Sequence, residues 1–365
     1  MKDITEKLDT IFRQAVASRA VQSATLRIQG LQGDLDWCAA YGSVGPDGPD
    51  MQPDSPYFIA SATKIFTATA IMMLHENGRL NLEDSLQDAL PDIDLTGLQL
   101  RRRKDLTSQI RIFHLLAHTS GLPDYFEQAG TGRHSLLKEL LEQGDRSWDL
   151  DFVLERARRM KPPFAPAISE GSGFKAHYSD TNYQLLGAII ERYTGQNLGE
   201  ALNRFIFDPL NLQQTYVYGQ DHAADKGRRT EPSLFCYKDR WLKLPRAMAS
   251  FGADGGMVST SAEQIEFLKA LLHRKLIRSG DLLQRMQQWN PLFFPFQYGL
   301  GLMRFQLPRI FTLFRTMPAF VGHSGASGAI NFYCKEGDIY VAGTMNQLAN
   351  RSLPFQWMSR VIAAI

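Results

Sequence analysis

The chain has 365 residues, more than one small core can use, so one large domain or two intimately joined ones are expected. Hydrophobic residues make up 44% and charged residues 21%, and 40 Lys plus Arg against 38 Asp plus Glu leave a net charge of only +2. That balance argues against a nucleic-acid binder, which carries a basic stripe, and the one dense basic run, Arg101-Arg102-Arg103-Lys104, reads as a solvated loop.

Ile4, Leu8, Ile11, Phe12, Ala15 and Val16 share one face at helical spacing, so the first 19 residues read as an amphipathic helix. This segment lacks the apolar core and cleavage site of a signal peptide, and no run of about 18 apolar residues could span a membrane. A cytoplasmic location is the default expectation, or a periplasmic one for a processed chain. Residues 24–29 and 34–41, split by Gly30, Gln32 and Gly33, form a hairpin pattern. After a Pro/Gly/Asp-rich loop, Tyr57-Phe58-Ile59-Ala60 leads into Ser61. From Ser61 to His75 the sequence is apolar on nearly all sides, which marks a buried helix, and Asn77-Gly78 closes it. Further helices are expected over 110–118, 135–160, 181–194 and 199–206. Strands follow over 215–218, 234–237, 298–306, 319–323, 329–334 and 338–345, and residues 353–365 form a closing apolar helix. The expected fold is α/β of the α+β type. An antiparallel sheet is built from the two chain ends, 1–60 and 240–365, and flanked by the N- and C-terminal helices. A mostly helical unit, 61–239, lies between those two ends and meets the sheet near Ser61.

Cys38, Cys236 and Cys334 lie far apart with no Cys/His ligand spacing, so neither a disulfide framework nor a metal or cofactor is expected. Ser-x-x-Lys places a hydroxyl and an amine on one helical face. At a helix N-terminus the backbone favours developing negative charge, and a Lys in a partly dry pocket can give up its proton. The spacing occurs three times. Ser135/Lys138 opens a polar amphipathic stretch, where Ser135 reads as an N-cap, and Ser172/Lys175 lies in a GSGF turn. Only Ser61/Lys64 heads a buried helix. By itself even that pair could be a capping Ser and a snorkelling Lys.

Two later segments decide the reading. Tyr178-Ser179-Asp180 precedes the helical TNYQLLGAIIERYTG, and Val321-Gly322-His323-Ser324-Gly325-Ala326 lies between strand-like runs. With Ser61 and Lys64 these resemble the motif set of the serine β-lactamase and penicillin-binding family, in the branch of class C β-lactamases, DD-peptidases and esterases. HLLAHTSGLPDY (His114–Tyr125), FGADGGMVSTSAEQIEFL (Phe251–Leu268) and YGLGL (Tyr298–Leu302) extend the resemblance in the family's order, from about residue 10 to the C-terminus. The resemblance implies an acyl-enzyme serine hydrolase with a small ester, amide or lactam as substrate. Ser61 would be the nucleophile, Lys64 and Tyr178 the proton-transfer groups, and the backbone N–H groups of Ser61 and Ala326 the oxyanion hole. Asp180, His323, Ser324 and Gly325 would meet the substrate, and Gly325 and Gly328 would let it lie along an edge strand.

Two departures bear on the substrate. Asp180 stands where the family usually has Asn. It either places a carboxylate by Lys64, favouring the ammonium, or caps a helix beginning at Thr181. His323 replaces the Lys of Lys-Thr-Gly and gives less pull on a substrate carboxylate. Both lean toward an esterase or D-amino-acid peptidase. A class C-like β-lactamase and a non-turnover penicillin-binding sensor are the alternatives. The Phe-rich run 292–320, leading into the His323 motif, is either sheet core or a wall for an apolar acyl chain.

Overall fold

The computed structural model describes residues 2–18, 20–130, 134–220, 229–307 and 317–364. Its centre is an eight-stranded antiparallel sheet in the spatial order 290–291, 296–298, 303–305, 320–324, 329–334, 339–344, 23–30 and 36–42. The two chain ends join where Ser23–Gly30 pairs with Ile339–Thr344, from Thr25 opposite Thr344 to Gly30 opposite Ile339. Side-chain alternation along Ile339–Thr344 sends Ile339 and Val341 to one face and Tyr340 and Ala342 to the other. On the first face lie the helices Lys2–Val16 and Leu353–Ala364, where Trp357 stacks on Trp37 and Phe12 meets Trp37 edge-on. On the second lies Ser261–Leu272, whose Ile265 and Leu268 pack under Tyr340 and Ala342.

That last helix ties the sheet to the helical part of the chain, because its Phe267 stacks on Phe66 at 3.6 Å. Phe66 belongs to the helix Thr63–Glu76, which is buried almost throughout and packs against Asp180–Thr194 in the largest core. Asn77 occupies its C-cap, with Gly78 following at φ +65°. A small sheet of Tyr57–Phe58, Met257–Ser259 and Tyr216–Val217 clamps the entrance to the same helix.

Several expected elements are re-drawn. The helix expected over 135–160 is two, Leu136–Gln143 and Leu150–Arg158, separated after Gly144 at φ +92°. The strand expected over 298–306 is two, Phe296–Tyr298 and Met303–Phe305, around a turn at Gly299–Leu302. The helix expected over 199–206 runs from Leu198 to Leu202 and loosens into a π turn, Asn203–Phe207. Arg101 to Lys104 forms the tip of a small exposed hairpin. Residues 308–316 of the Phe-rich run lie outside the described residues. Among the described residues no helix is long and apolar enough to cross a membrane.

Candidate active site

Ser61 does not begin the helix, as its sequence position suggested, but sits in the 3-10 turn Ala60–Ala62 just before Thr63. Ala60 has φ +46°, a strained value for a residue with a side chain. The surroundings over-determine this bend. The N–H of Ile59 donates to the Met257 carbonyl at 3.0 Å, and the Ser327 hydroxyl donates to the Phe58 carbonyl at 3.0 Å. One helical turn later Lys64 is fully buried, with Nζ 3.3 Å from Ser61 Oγ and 2.7 Å from Asp180 Oδ1, and it also donates to the backbone carbonyl of Asp254. Burial alone would lower the Lys64 pKa. The negative charge of Asp180, helped by Tyr178 and Asp254, outweighs burial and raises it, so the group is held as an ammonium.

Tyr178 is half-buried and lines the cavity beside Ser61, with its ring centroid 5.0 Å from Lys64 Nζ. Burial raises its pKa, and the Lys64 ammonium only partly offsets that. Asp180 is the first residue of the helix Asp180–Thr194, with Ser179 at the N-cap, so it is not the cap. Of its two readings the structure keeps the carboxylate beside Lys64. Of the other Ser-x-x-Lys pairs, Ser135 accepts from the Lys138 N–H as the N-cap of Leu136–Gln143. Ser172 lies outside the cavity that holds Ser61.

The third motif divides in two. Ser324, Gly325 and Ala326 line the cavity with Ser61. His323 is fully buried and is not among the described lining residues, contrary to the expectation of substrate contact. Its Nδ1 is 2.7 Å from the Ser324 carbonyl, which can only accept, so Nδ1 carries the proton and Nε2 accepts from Tyr298 Oη at 2.9 Å. Burial and the nearby Lys64 push its pKa down to about 3, leaving a neutral imidazole. The strand is not an edge along its whole length. Phe320–Gly322 pair with Met303–Phe305, and only from His323 onward does that side lie open. A Cβ on Gly325 would come 2.3 Å from the Ile59 carbonyl oxygen, so this glycine is required by the turn that carries Ser61.

The site opens into a cavity of about 950 Å³. One wall is built from Leu140, Leu141 and Met248, another from Phe296, Phe305 and Phe355. Arg351 is the one Lys or Arg among the described lining residues, and it pairs with Glu127 at 2.6 Å.

The Beta-lactamase family model matches residues 8–365. The chain belongs to the Beta-lactamase family. It is similar to the acyltransferase mokF of Monascus pilosus, 30% identical over 76% of this chain and 68% of that one. It is also similar to esterase EstB of Burkholderia gladioli, 30% identical over 58% and 50%. The D-amino acid amidase of Ochrobactrum anthropi SV3 shares its fold, with a TM-score of 0.78 at 22% identity over 99% and 98% of the two chains. As a member of the Beta-lactamase family with such neighbours, the chain is a serine hydrolase.

Within this Beta-lactamase-family site, sequence reasoning passed over two carboxylates. Asp124 and Asp254 line the cavity with Asp180, and both are buried. Burial and the charge of Asp180 push Asp124 up to about 7 and Asp254 well above the usual carboxylate range. Asp254 Oδ2 accepts from Tyr125 Oη at 2.9 Å and from Gln184 at 3.1 Å. Both carboxylates lie inside segments that carried the family resemblance. An acid flanked by apolar or glycine residues was the available signal.

Proposed function

We propose that the protein hydrolyses esters, and secondarily amides, bearing a bulky apolar group through an acyl-enzyme on Ser61. The observation that carries this reading is that Ser61 and Tyr178, with the buried Lys64 Nζ beside both, line an apolar cavity of about 950 Å³. Ser61 Oγ attacks the carbonyl carbon. Once the Lys64–Tyr178 pair has released one proton to solvent, the Ser61 proton passes to the Tyr178 phenolate beside the Lys64 ammonium, and then to the leaving-group oxygen or nitrogen. The N–H groups of Ser61 and Ala326 receive the oxyanion. Water, deprotonated by the same phenolate, releases the acid. In this reading residues 1–60 with 240–365 act as the sheet unit and 61–239 as the helical unit, meeting at Ser61. Turnover of β-lactams is disfavoured, because Arg351, the one Lys or Arg among the described lining residues, is already paired and His323 is neutral and set behind Tyr298.

The test is kcat/KM for p-nitrophenyl esters from acetyl to octanoyl, beside D-amino acid amides and nitrocefin, on wild type and Ser61→Ala. The rate constant is expected to climb with chain length, about tenfold for every two buried methylenes until the cavity is filled. All turnover should vanish in Ser61→Ala. A flat or falling series beyond acetyl, or nitrocefin outrunning the esters, would reject the proposal. The presence of two apolar walls supports a second reading, transfer of the acyl group to an apolar alcohol, and the acyltransferase relative favours it too. Ester formed when hexanol is added to the assay distinguishes transfer from hydrolysis.

A further inference from the structure

His118 is fully buried and has φ +57°, in the left-handed region that few residues with a side chain adopt. Strain of this kind persists where the surroundings fix it. Here the fixing contacts converge on Tyr178. The N–H of His177, just before Tyr178, donates to the His118 carbonyl at 2.9 Å. The N–H of Ser179, just after it, donates to His118 Nδ1 at 3.2 Å. The imidazole lies against the face of the Tyr178 ring, with centroids 4.4 Å apart and planes at 35°. His118 thus grips the backbone on both sides of Tyr178 and the ring between them.

The imidazole is itself held in one protonation state. Asn182 Nδ2 donates to His118 Nδ1 at 3.0 Å, and the Ser120 hydroxyl donates to Asn182 Oδ1 at 2.7 Å, which fixes the amide's orientation. With two donors facing Nδ1, the ring proton sits on Nε2. Among the described residues that N–H is buried without an oxygen or nitrogen partner, and the His118 and Tyr298 ring centroids lie 4.5 Å apart.

We propose that His118 is a positioning residue for Tyr178: its left-handed backbone and Nδ1 acceptor aim the phenol at Ser61 and Lys64. The inference rests on Tyr178 being a proton-transfer group. A phenol displaced by about 1 Å loses on the order of a hundredfold in rate without losing the substrate pocket.

The test is a double-mutant cycle with p-nitrophenyl ester kinetics and fluorophosphonate labelling of Ser61. His118→Leu removes the acceptor and strains the backbone. It is expected to lower kcat and the labelling rate by about a hundredfold with KM changed less than about threefold. His118→Asn tolerates the same backbone conformation and offers Oδ1 where Nδ1 stood, so it should recover to within about tenfold of wild type. In a Tyr178→Phe background His118→Leu should cost less than about twofold, since the group it positions is gone. If His118→Leu does not fold, Asn182→Ala takes its place in the cycle, with a several-fold loss of kcat that also disappears in Tyr178→Phe. Equal losses in both backgrounds, or no rescue by Asn, would overturn the proposal. A fully active Tyr178→Phe would instead overturn the role given to Tyr178.

Discussion

Asp180 is the residue on which the proton inventory of the site turns. It stands 2.7 Å from Lys64 Nζ, and its charge is the main reason the ammonium keeps its proton despite full burial. In the proposed mechanism the Lys64–Tyr178 pair must give up one proton before Ser61 reacts, and a nearby anion opposes that loss for both members. Asp180→Asn removes the anion and leaves an oxygen that can still accept from Nζ. Both pKa values then fall, so the alkaline rise of kcat/KM should shift to lower pH by about 1–3 units and the rate at neutral pH should increase. Paired pH–rate profiles check this, and a limb that stays in place would show that Asp180 does not set the proton. The sequence presented Asp180 as anomalous without deciding between a helix cap and a charge partner, because one residue separates the two. Asp254 was not legible at all as a partner of Lys64, from which it lies 190 positions away in the chain. Only the closure of the small sheet on the Ser61 turn brings them together.

At the scale of elements, the site depends on two backbone segments approaching too closely for a side chain. The turn after the strand Phe320–Ser324 meets the Ser61 turn at Gly325, whose missing Cβ would lie 2.3 Å from the Ile59 oxygen and 3.0 Å from Ala60 Cβ. Backbone cannot swing aside as a flexible side chain does, so Gly325→Ala must widen the gap between Ser61 and Ala326. The expected outcome is a loss of about a hundredfold in kcat/KM and about 1–3 kcal/mol in stability. Steady-state kinetics with thermal melts read both, and wild-type kinetics in the alanine variant would contradict the account. The strand itself was readable, as were Ala329–Cys334 and Ile339–Thr344, because each is a short apolar run rich in β-branched or aromatic residues, buried on both faces. The helix Ser261–Leu272 was not expected from periodicity. It is buried on two sides, with Ile265 and Leu268 toward the sheet and Phe267 toward Phe66, so it lacks the single apolar stripe that betrays a surface helix. Ser61 was read as the first residue of its helix because an apolar run does not show where a 3-10 turn gives way to an α-helix.

Across the whole molecule, the groups buried around the site set how stability depends on pH. Burial pushes His323 to about 3, His114 to about 4, His118 well below the usual imidazole range and His177 below it. Each of these folded-state values lies beneath the unfolded one. Their contribution is therefore present above pH 6.5 and is lost as the pH falls toward the folded values. Asp124 at about 7 and Asp254, also raised, act in the opposite sense: they take up protons in the folded state and favour it as the pH falls. These four histidines oppose the raised carboxylates Asp124, Asp254 and Glu191, and the balance leaves the unfolded chain holding more protons near pH 5. The melting temperature is therefore expected to fall steadily from pH 6.5 to 4. Calorimetry in buffers of different ionisation enthalpy should show proton uptake on unfolding at pH 5. A melting temperature that is flat or rising across that range, or proton release on unfolding, would mean that the buried imidazoles do not govern acid stability. The same burial that keeps His323 and His118 neutral beside Lys64 would then need another purpose.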